Sequence, residues 1–452
     1  MSDFDTVIRG KIVLTDQVIE DGYVAVSGET TMAVGRGAPP AASETHDARG
    51  AWIFPGAVDG QVHTRSQADN EGFDYATRAA AAGGVTTIVD MPYDEEFLVC
   101  SADTVRRKAE IGEQDARVDF ALFGTIDPTE GAARIPEMAE AGVCAYKFST
   151  FGTHPVRFPR IPPYQMYEAF EAVAATGLAA GVHNEDDEYV VHGIEAVKKK
   201  GLTGPEAHGL SRPPLAEALA INDIYEIGVA AGCRAHVVHC SIGRGYEICE
   251  AYRRQGFDTT IECCIHYLIL NEQDDVMRLG GFAKINPPIR KRAEMEAIWK
   301  HLEAGHITFV STDHSAWSRD RKNDPNMLNN ASGAPGLEYM LPLLIKGCLE
   351  RDIDLTWVSR LLSSQPAEHF RLGPKKGALR IGSDADIVIV EPGEHVCDPS
   401  TSQTVVTWSP YAGMSLPGKV AATFVRGKMV WDGANVTAER GYGTFVKPFG
   451  RA

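Results

Sequence analysis

The chain has 452 residues, 44% of them hydrophobic and 23% charged, and its formal net charge is −17 at pH 7. This is the composition of an ordinary globular protein, and the length suits one large domain with a smaller one attached. A chain this acidic argues against nucleic acid or an anionic membrane as a partner, although a small-molecule site within it can be locally basic.

The cysteines and the N-terminus indicate a reducing, cytoplasmic location. Nine cysteines are scattered through the sequence without paired zinc-binding spacing, and the N-terminal Met-Ser-Asp-Phe-Asp is polar and unlike a targeting signal. Reduced thiols in a cytosol are the simplest interpretation. No apolar run reaches the roughly 18 residues that a membrane-spanning helix needs.

Both ends of the chain are rich in short β-strands. Residues 6–14, 22–27 and 31–35 are β-rich runs bounded by Gly or Asp, and residues 386–390 and 420–431 repeat the pattern near the C-terminus. Because a helix-rich middle separates them, we expect the two ends to pair into one small β-sandwich domain. Its predicted bounds are residues 1–52 and 375–452.

The middle of the chain, residues 53–374, alternates predicted strands and helices. The first strand begins near residue 53, and seven more follow at residues 84–91, 118–124, 142–148, 178–183, 234–239, 258–263 and 307–313. Eight strands alternating with helices over roughly 300 residues are typical of an α/β fold of the (β/α)8 TIM-barrel type. The alternative is an open doubly wound sheet, which is less favoured because no Gly-rich phosphate loop follows the first strand.

Polar side chains stand at the C-terminal ends of these predicted strands, where the active sites of barrels form. They are Gln61, His63, Lys147, His183, His239 and Asp313. A lone histidine is more often structural than a ligand, but several at successive strand ends, with an aspartate, indicate a site for a divalent metal. A lysine buried as an ammonium ion is costly. Its amine can instead react with carbon dioxide to form an anionic carbamate, which can bridge two metal ions.

Short motifs along nearly the whole chain carry a family resemblance. They include Pro-Gly-Ala-Val-Asp-Gly-Gln-Val-His at 55–63, Ala-Gly-Gly-Val-Thr-Thr-Ile-Val-Asp-Met-Pro at 82–92, Leu-Ser-Arg-Pro-Pro-Leu-Ala-Glu at 210–217 and Ser-Thr-Asp-His-Ser at 311–315. In this order they resemble the cyclic amidohydrolases of the amidohydrolase superfamily: allantoinases, hydantoinases, dihydropyrimidinases and dihydroorotases. The Gly-Gly-Val-Thr-Thr and Ser-Arg-Pro-Pro segments are most similar to the allantoinase branch.

The resemblance implies a role for each strand-end residue. His63 would bind the more buried metal, carbamylated Lys147 would bridge, His183 and His239 would hold the second metal, and Asp313 would bind the first metal and act as general base. The implied cofactor is one or two divalent ions, zinc first, with manganese and cobalt as alternatives. A water activated by the metals would attack a ring carbonyl, and Asp313 would carry its proton to the leaving nitrogen.

Gln61 departs from the family pattern, which places a metal-binding His-x-His where this chain has Gln61-Val62-His63. Three interpretations stay open. Gln61 binds the metal through its neutral amide oxygen, a weaker ligand than imidazole. Alternatively, the inner position is empty and one ion remains on Lys147, His183 and His239. The third interpretation is a non-catalytic scaffold, against which stands the presence of every other expected ligand.

Five further residues are predicted substrate contacts. Arg65 would pair with a substrate carboxylate or carbonyl, with a salt bridge to a nearby acid as the alternative. Tyr93 would stack on a flat ring, with local packing as the alternative. Asn286 is a candidate amide contact, and Asn330 and Gly333 resemble the backbone contact loop of hydantoinases.

The sequence therefore predicts a cytoplasmic, metal-dependent hydrolase that opens a cyclic amide, imide or ureide bond in a small heterocycle of purine or pyrimidine catabolism, as an allantoinase does. Hydantoinase or dihydropyrimidinase activity, the opening of an oxopurine such as xanthine, and the scaffold remain as alternatives. The resemblance also implies a homo-oligomer, a dimer or a tetramer.

Overall fold

The computed structural model describes residues 3–67, 71–154 and 157–450. Within these ranges the strands are, in chain order, β1 (Phe4–Val13), β2 (Val18–Ser27), β3 (Thr30–Arg36), β4 (Ala42–Pro55), β5 (Ala57–Val62), β6 (Val85–Asp90), β7 (Asp119–Gly124), β8 (Ala145–Ser149), β9 (Ala179–His183), β10 (Arg234–Val237), β11 (Thr260–Ile261), β12 (Cys263–Cys264), β13 (Val310–Ser311), β14 (Ile387–Val396), β15 (Ser415–Val425) and β16 (Lys428–Trp431).

The α-helices of the same ranges lie mostly between the strands of the middle segment. They are α1 (Gly72–Ala82), α2 (Ala102–Asp115), α3 (Ile135–Ala141), α4 (Pro163–Ala174), α5 (Asp187–Lys199), α6 (Glu206–Ser211), α7 (Pro214–Ala231), α8 (Gly243–Arg253), α9 (Ile265–Ile269), α10 (Met277–Leu279), α11 (Arg292–Glu303), α12 (Met340–Leu349), α13 (Thr356–Ser359) and α14 (Gln365–His369).

The two chain ends form one seven-stranded sheet in the order β16-β15-β14-β4-β1-β2-β3. The N- and C-terminal parts join where β4 pairs antiparallel with β14, with Ile53 opposite Ile389. Alternate side chains of these strands, among them Ile8, Val24 and Phe424, are buried in a core of their own. Since the side-chain period of a strand is two, the alternating sequence supplies one buried face. The predicted β-sandwich domain built from both termini is confirmed.

The middle segment is a (β/α)8 barrel, as predicted. Strands β5 to β11 form a parallel sheet in sequence order, and β12 pairs in parallel with β13. Strands β11 and β12 are two halves of the seventh barrel strand, separated by Glu262. A parallel bridge between Val62 and His314 closes the barrel from the eighth strand to the first. The C-terminal ends of these strands therefore meet on one face of the barrel.

Some predicted bounds needed correction. Residues 420–431 form two strands, because Arg426 and Gly427, with φ of 48° and 76°, make a left-handed turn between β15 and β16. Strand β4 continues to Pro55, three residues beyond the predicted boundary at residue 52. The division into 1–52 with 375–452 and 53–374 stays a prediction.

Two features bear on the cellular setting. All nine cysteines lie within the described residues, and each is a free thiol. In the part of the chain that the structure describes, no helix has both the length and the apolar character needed to cross a membrane. The cytoplasmic location stays a prediction.

Candidate active site

A cavity of about 520 Å3 opens at the C-terminal ends of the barrel strands. Every predicted site residue except Arg65 lines it: Gln61, His63, Tyr93, Lys147, His183, His239, Asn286, Asp313, Asn330 and Gly333. They come from strands or loops far apart in the sequence, and the barrel brings them together because parallel strands end at one rim.

Two imidazoles face each other across one side of the cavity. The Nδ1 atom of His183, at the end of β9, lies 3.0 Å from the Nε2 atom of His239, just after β10. The other ring nitrogen of His183, Nε2, lies 2.9 Å from Oε2 of Glu185, and Arg212 donates a hydrogen bond to the same carboxylate oxygen. A carboxylate on the outer nitrogen of a histidine fixes its ring and tautomer, as it does in many metal sites.

This donor set fits a metal ion. Two nitrogens bound to one tetrahedral zinc at about 2.0–2.1 Å lie roughly 3.3 Å apart, close to the 3.0 Å between the two imidazoles. Among the residues that the structure describes, no group of three or more His, Cys, Asp and Glu side chains is arranged to hold an ion. Lys147 and Gln61, which are not of these residue types, line the same cavity and are candidates for further donors.

Lys147 is the buried cation of the site. It lies in the middle of β8, is 4% exposed, and its burial lowers the pKa of the amine to about 8 despite the neighbouring carboxylates of Asp313 and Glu262. A buried amine with a lowered pKa has a substantial neutral fraction near neutral pH. Such an amine is the nucleophile that carbamate formation requires.

Gln61, His63 and Asp313 form the opposite corner of the site. Gln61 Nε2 donates to Asp313 Oδ1 at 2.9 Å, and His63 Nε2 lies 3.3 Å from the same oxygen. Burial acts to raise the pKa of Asp313, but the hydrogen bond and charge of His63 outweigh it and hold that pKa below its usual range. Gln61 Oε1 is buried and has no hydrogen-bond partner among the described residues.

The backbone is strained at two of these residues. His239 and Asp313 have φ of 39° and 51°, in the left-handed region that residues other than glycine seldom adopt. Buried Asp59 accepts hydrogen bonds from the backbone N–H groups of Gln61 and Thr312, and so ties the first barrel strand to the eighth beside Asp313. Backbone strain of this kind persists where the surroundings enforce it, most often at functional sites.

Tyr93 and Asn286 lie on the substrate side of the cavity. Tyr93 is buried, donates its hydroxyl to the backbone oxygen of Lys147 at 3.1 Å, and packs on Phe158 with ring centroids 4.3 Å apart. Its burial raises the pKa of the phenol. Asn286 Oδ1 is buried without a partner among the described residues, so it is an acceptor available to a substrate N–H.

The loop at 328–333 is held by two buried lysines. Lys284 Nζ donates to the backbone oxygens of Leu328 and Asn330, and Lys322 Nζ donates to those of Lys284, Ala331 and Gly333, the last at 2.8 Å. The N–H of Gly333 already donates to the Lys284 oxygen, and the Asn330 side chain is bonded to its own loop. Gly333 also shapes the loop, with φ of 120°, and the predicted role of Asn330 and Gly333 as a backbone contact loop for substrate stays a prediction.

Arg65 is not brought to the site. It does not line the cavity, and its guanidinium pairs with Asp94 at 2.9 Å and Glu96 at 3.1 Å. Lys108, fully buried beneath, bonds Asp94 as well and completes a structural network. Arg65 therefore forms the salt bridge that was its alternative role, and its contact with substrate stays a prediction.

Two residues with clear roles were not singled out from the sequence. Buried Glu262 accepts hydrogen bonds from the His239 N–H at 3.0 Å and from Ser311 at 3.2 Å, and its burial raises the pKa of its carboxyl to about 8. An acid inside the otherwise apolar run from Ile261 to Cys264 was the signal for it. Arg212, which holds Glu185, lies in the Ser-Arg-Pro-Pro segment.

Known proteins resemble this chain over almost its entire length. Residues 52–430 match the model of the amidohydrolase family. An allantoinase of Rubrobacter xylanophilus is 35% identical over 452 residues, which cover 99% of this chain and 98% of that protein. An L-hydantoinase of Paenarthrobacter aurescens is 29% identical and covers 98% of each chain. Among solved structures, L-hydantoinase (dihydropyrimidinase) from Arthrobacter aurescens has a TM-score of 0.93 at 28% identity, covering 98% of this chain and all 100% of its own.

Proposed function

This chain belongs to the amidohydrolase family, and from that premise we propose that it is a metal-dependent hydrolase that opens a cyclic amide, imide or ureide bond in a heterocycle of purine or pyrimidine catabolism. Allantoin is the reference substrate, since allantoinases in several organisms share 29–35% identity with the chain over nearly its full length.

One observation carries the proposal: imidazoles, a buried lysine and a buried aspartate from separate barrel strands line one cavity. The 3.0 Å approach of His183 Nδ1 to His239 Nε2, with Glu185 behind it, supports a metal held there. Buried ionisable groups with shifted pKa values at such a rim are typical of catalytic sites. A scaffold that had lost catalysis would have no reason to keep the strain at His239 and Asp313.

The residues proposed to hold the metal are His183, His239 and carbamylated Lys147, with His63 and Asp313 on the other side. Zinc suits this mixture of imidazole and carboxylate oxygen, and manganese or cobalt are the alternatives. When bound, the metal supplies Lewis acidity, which polarises a carbonyl and lowers the pKa of water.

Carbamylation of Lys147 follows from its environment. The neutral amine adds to the carbon of carbon dioxide, forming an N–C bond and releasing one proton, and the product is an anion with two oxygen donors. Burial favours this change because it lowers the pKa of the amine to about 8 and so supplies the neutral form. The change also supplies the third donor that the two imidazoles need.

Asp313 is the proposed general base. It is ionised at neutral pH, because its pKa lies below the usual range, and its Oδ1 is held by Gln61. It takes the proton of the water that attacks the ring carbonyl, and it gives that proton to the ring nitrogen as the C–N bond breaks. The products are a carboxylate and a free amine, amide or ureido end on one opened chain.

Gln61 bears on the number of ions. Its amide nitrogen bonds Asp313, and its oxygen, which has no hydrogen-bond partner among the described residues, is a weak, neutral ligand compared with an imidazole. We propose one firmly held ion, on the side of His183 and His239. Gln61→His should then raise the metal content of the purified protein from about one to about two equivalents. An unchanged content in that variant, or about two equivalents already in the wild type, contradicts this count.

The cavity also bears on the substrate. Asn286 Oδ1 is placed to accept from a ring N–H, and the aromatic pair of Tyr93 and Phe158 offers an apolar wall. Such a wall favours a flat ring. The candidate substrates are therefore allantoin, hydantoins, dihydropyrimidines and oxopurines.

We also propose a homo-oligomer, a dimer or a tetramer. Apolar side chains stand exposed on the neighbouring helices α5, α6 and α7: Tyr189, Val191, Leu210, Leu215 and Leu219. Several exposed apolar side chains on neighbouring helices commonly mark a protein interface. Light scattering of the purified protein measures the mass, and a monomer contradicts the proposal.

The hydrolase is tested by turnover on a panel of cyclic ureides and oxopurines, before and after loading with zinc, manganese or cobalt in bicarbonate. We expect at least one ring to be opened by the loaded protein and the activity to fall on chelation. Less than about one tenth equivalent of bound metal, with no turnover on any ring, contradicts the proposal and favours the scaffold.

A further inference from the structure

The wall of the cavity has a charge opposite to that of the whole molecule. The chain has 61 acidic and 44 basic residues, yet among the described residues the side chains that line the cavity include one carboxylate, Asp313, and, besides Lys147, five cations: Arg157, Lys198, Arg212, Lys284 and Arg321. A positively charged cleft raises the local concentration of negatively charged ligands.

Part of this positive charge is neutralised inside the protein. Lys198 pairs with Glu195 at 3.0 Å, and Arg212 pairs with Glu185. The remaining cations besides Lys147 are Arg157, Lys284 and Arg321, and among the described residues no carboxylate oxygen lies within 4.0 Å of any of the three.

Arg157 is the one of these three that lies beside the proposed catalytic residues. The ammonium group of Lys284 already donates hydrogen bonds to the backbone oxygens of Leu328 and Asn330. Arg321 is exposed, and its guanidinium lies over the Trp317 ring at 5.3 Å. Lys284 therefore holds the 328–333 loop, and Arg321 lies on the rim of the cavity.

Contacts on both sides hold Arg157 in place. The residue is half-buried, and its Nη1 donates to the backbone oxygen of Ser66 at 2.9 Å, while Ser66 Oγ lies 2.9 Å from His63 Nδ1. The adjoining Phe158 packs on Tyr93 and lies 6.1 Å from the His63 ring. A guanidinium carries five N–H donors, so most of its hydrogen-bonding capacity is left for a ligand in the cavity.

We propose that Arg157 binds a carboxylate carried by the substrate ring, so that the preferred substrates are anionic cyclic amides. The inference rests on the proposed hydrolase function and names its substrate class. The planar guanidinium of arginine binds a carboxylate through two parallel hydrogen bonds. An uncharged group on the substrate would be bound less strongly. In a half-buried position this contact should favour the acid over an uncharged analogue by about 10- to 100-fold.

The test compares two rings of the same shape, hydantoin-5-acetate and hydantoin-5-acetamide, on the metal-loaded protein. The wild type should show a kcat/KM at least about tenfold higher for the acid. Arg157→Met should lower the value for the acid to near that for the amide and leave the amide within about twofold. Arg321→Met, the matched control on the rim, should keep the wild-type ratio. Equal use of both rings by the wild type, or an equal loss for both in Arg157→Met, overturns the proposal.

A binding measurement separates this proposal from the hydrolase itself. Cyclopentanecarboxylate and cyclopentanecarboxamide have no ring amide to cut, and calorimetry gives their affinities for the wild type, Arg157→Met and the milder Arg157→Lys. Tighter binding of the carboxylate, lost in Arg157→Met and partly kept in Arg157→Lys, supports the role of Arg157 even if no ring is turned over. Equal affinities of the wild type and Arg157→Met for the carboxylate overturn it, whatever the protein hydrolyses.

Discussion

Replacing Glu185 by glutamine tests how the metal side of the cavity is built. The Glu185 carboxylate is fully buried between His183 and Arg212, which is 5% exposed. Burial acts to raise the pKa of Glu185, but the charge of Arg212 and the bond to His183 lower it to about 2, so the carboxylate is ionised throughout the working range. The substitution keeps the shape and one acceptor for His183 while removing the charge.

Two magnitudes follow. Removing one partner of a buried ion pair lowers the free energy of unfolding by about 3–5 kcal/mol. Because glutamine keeps an amide oxygen that can still accept a hydrogen bond, we expect a loss near the lower figure. Loss of the carboxylate behind a metal-binding histidine typically lowers metal affinity by about 10- to 100-fold. Both effects should appear, because Glu185 holds Arg212 and orients His183 at the same time.

Urea unfolding of the metal-free protein measures the first effect, and a competition titration with a zinc chelator measures the second. Glu195→Gln is the matched control, since Glu195 forms an exposed pair with Lys198 at 3.0 Å, and it should change the free energy of unfolding by less than about 0.5 kcal/mol. If Glu185→Gln loses stability but keeps its zinc affinity within about twofold, Glu185 is only structural and the metal assignment of His183 is refuted.

Two further substitutions test the rest of the architecture. Lys376 Nζ lies 2.5 Å from Asp119 of the barrel, so Lys376→Met should cost about 3–5 kcal/mol in urea unfolding at pH 8, against less than about 0.5 kcal/mol for the exposed Lys375→Met. Asp119 is buried, yet Lys376 lowers its pKa, so that part of the stability is present above the ordinary aspartate pKa and is lost as the pH falls through the lower pKa of the folded state. The difference between wild type and variant should therefore shrink as the pH falls below about 4, and a constant difference contradicts the pairing. Lys322→Met removes the ammonium group that bonds three backbone oxygens around the 328–333 loop, and amide hydrogen exchange there should rise at least about tenfold, with Arg321→Met unchanged.

The sequence was sufficient for features that depend on local pattern. Alternating strands and helices predicted the barrel, and residues at predicted strand ends, such as His183 and Asp313, line one cavity because the fold sends all strand ends to one rim. The glycine after helix α3 is a local signal of the same kind, since Gly142 ends the helix in a left-handed conformation.

Features that depend on distant partners were not predictable. Arg65 is paired by Asp94 and Glu96, about thirty residues away, and no local pattern reveals that pairing. Lys322 lies in a charged stretch that reads as a solvated loop, yet it is buried under carbonyl groups of a later loop. The contact of Arg157 with Ser66 spans 91 residues and joins two loops of the barrel rim.

The central claim is that a divalent ion is held at His183 and His239 with carbamylated Lys147. The most direct test is metal analysis of the wild type and Lys147→Ala, each purified, stripped and reloaded with zinc in bicarbonate. The wild type should retain at least about one equivalent and Lys147→Ala less than about one tenth, with no recovery at higher bicarbonate. Full metal retention by Lys147→Ala, or none by the wild type, would contradict the account.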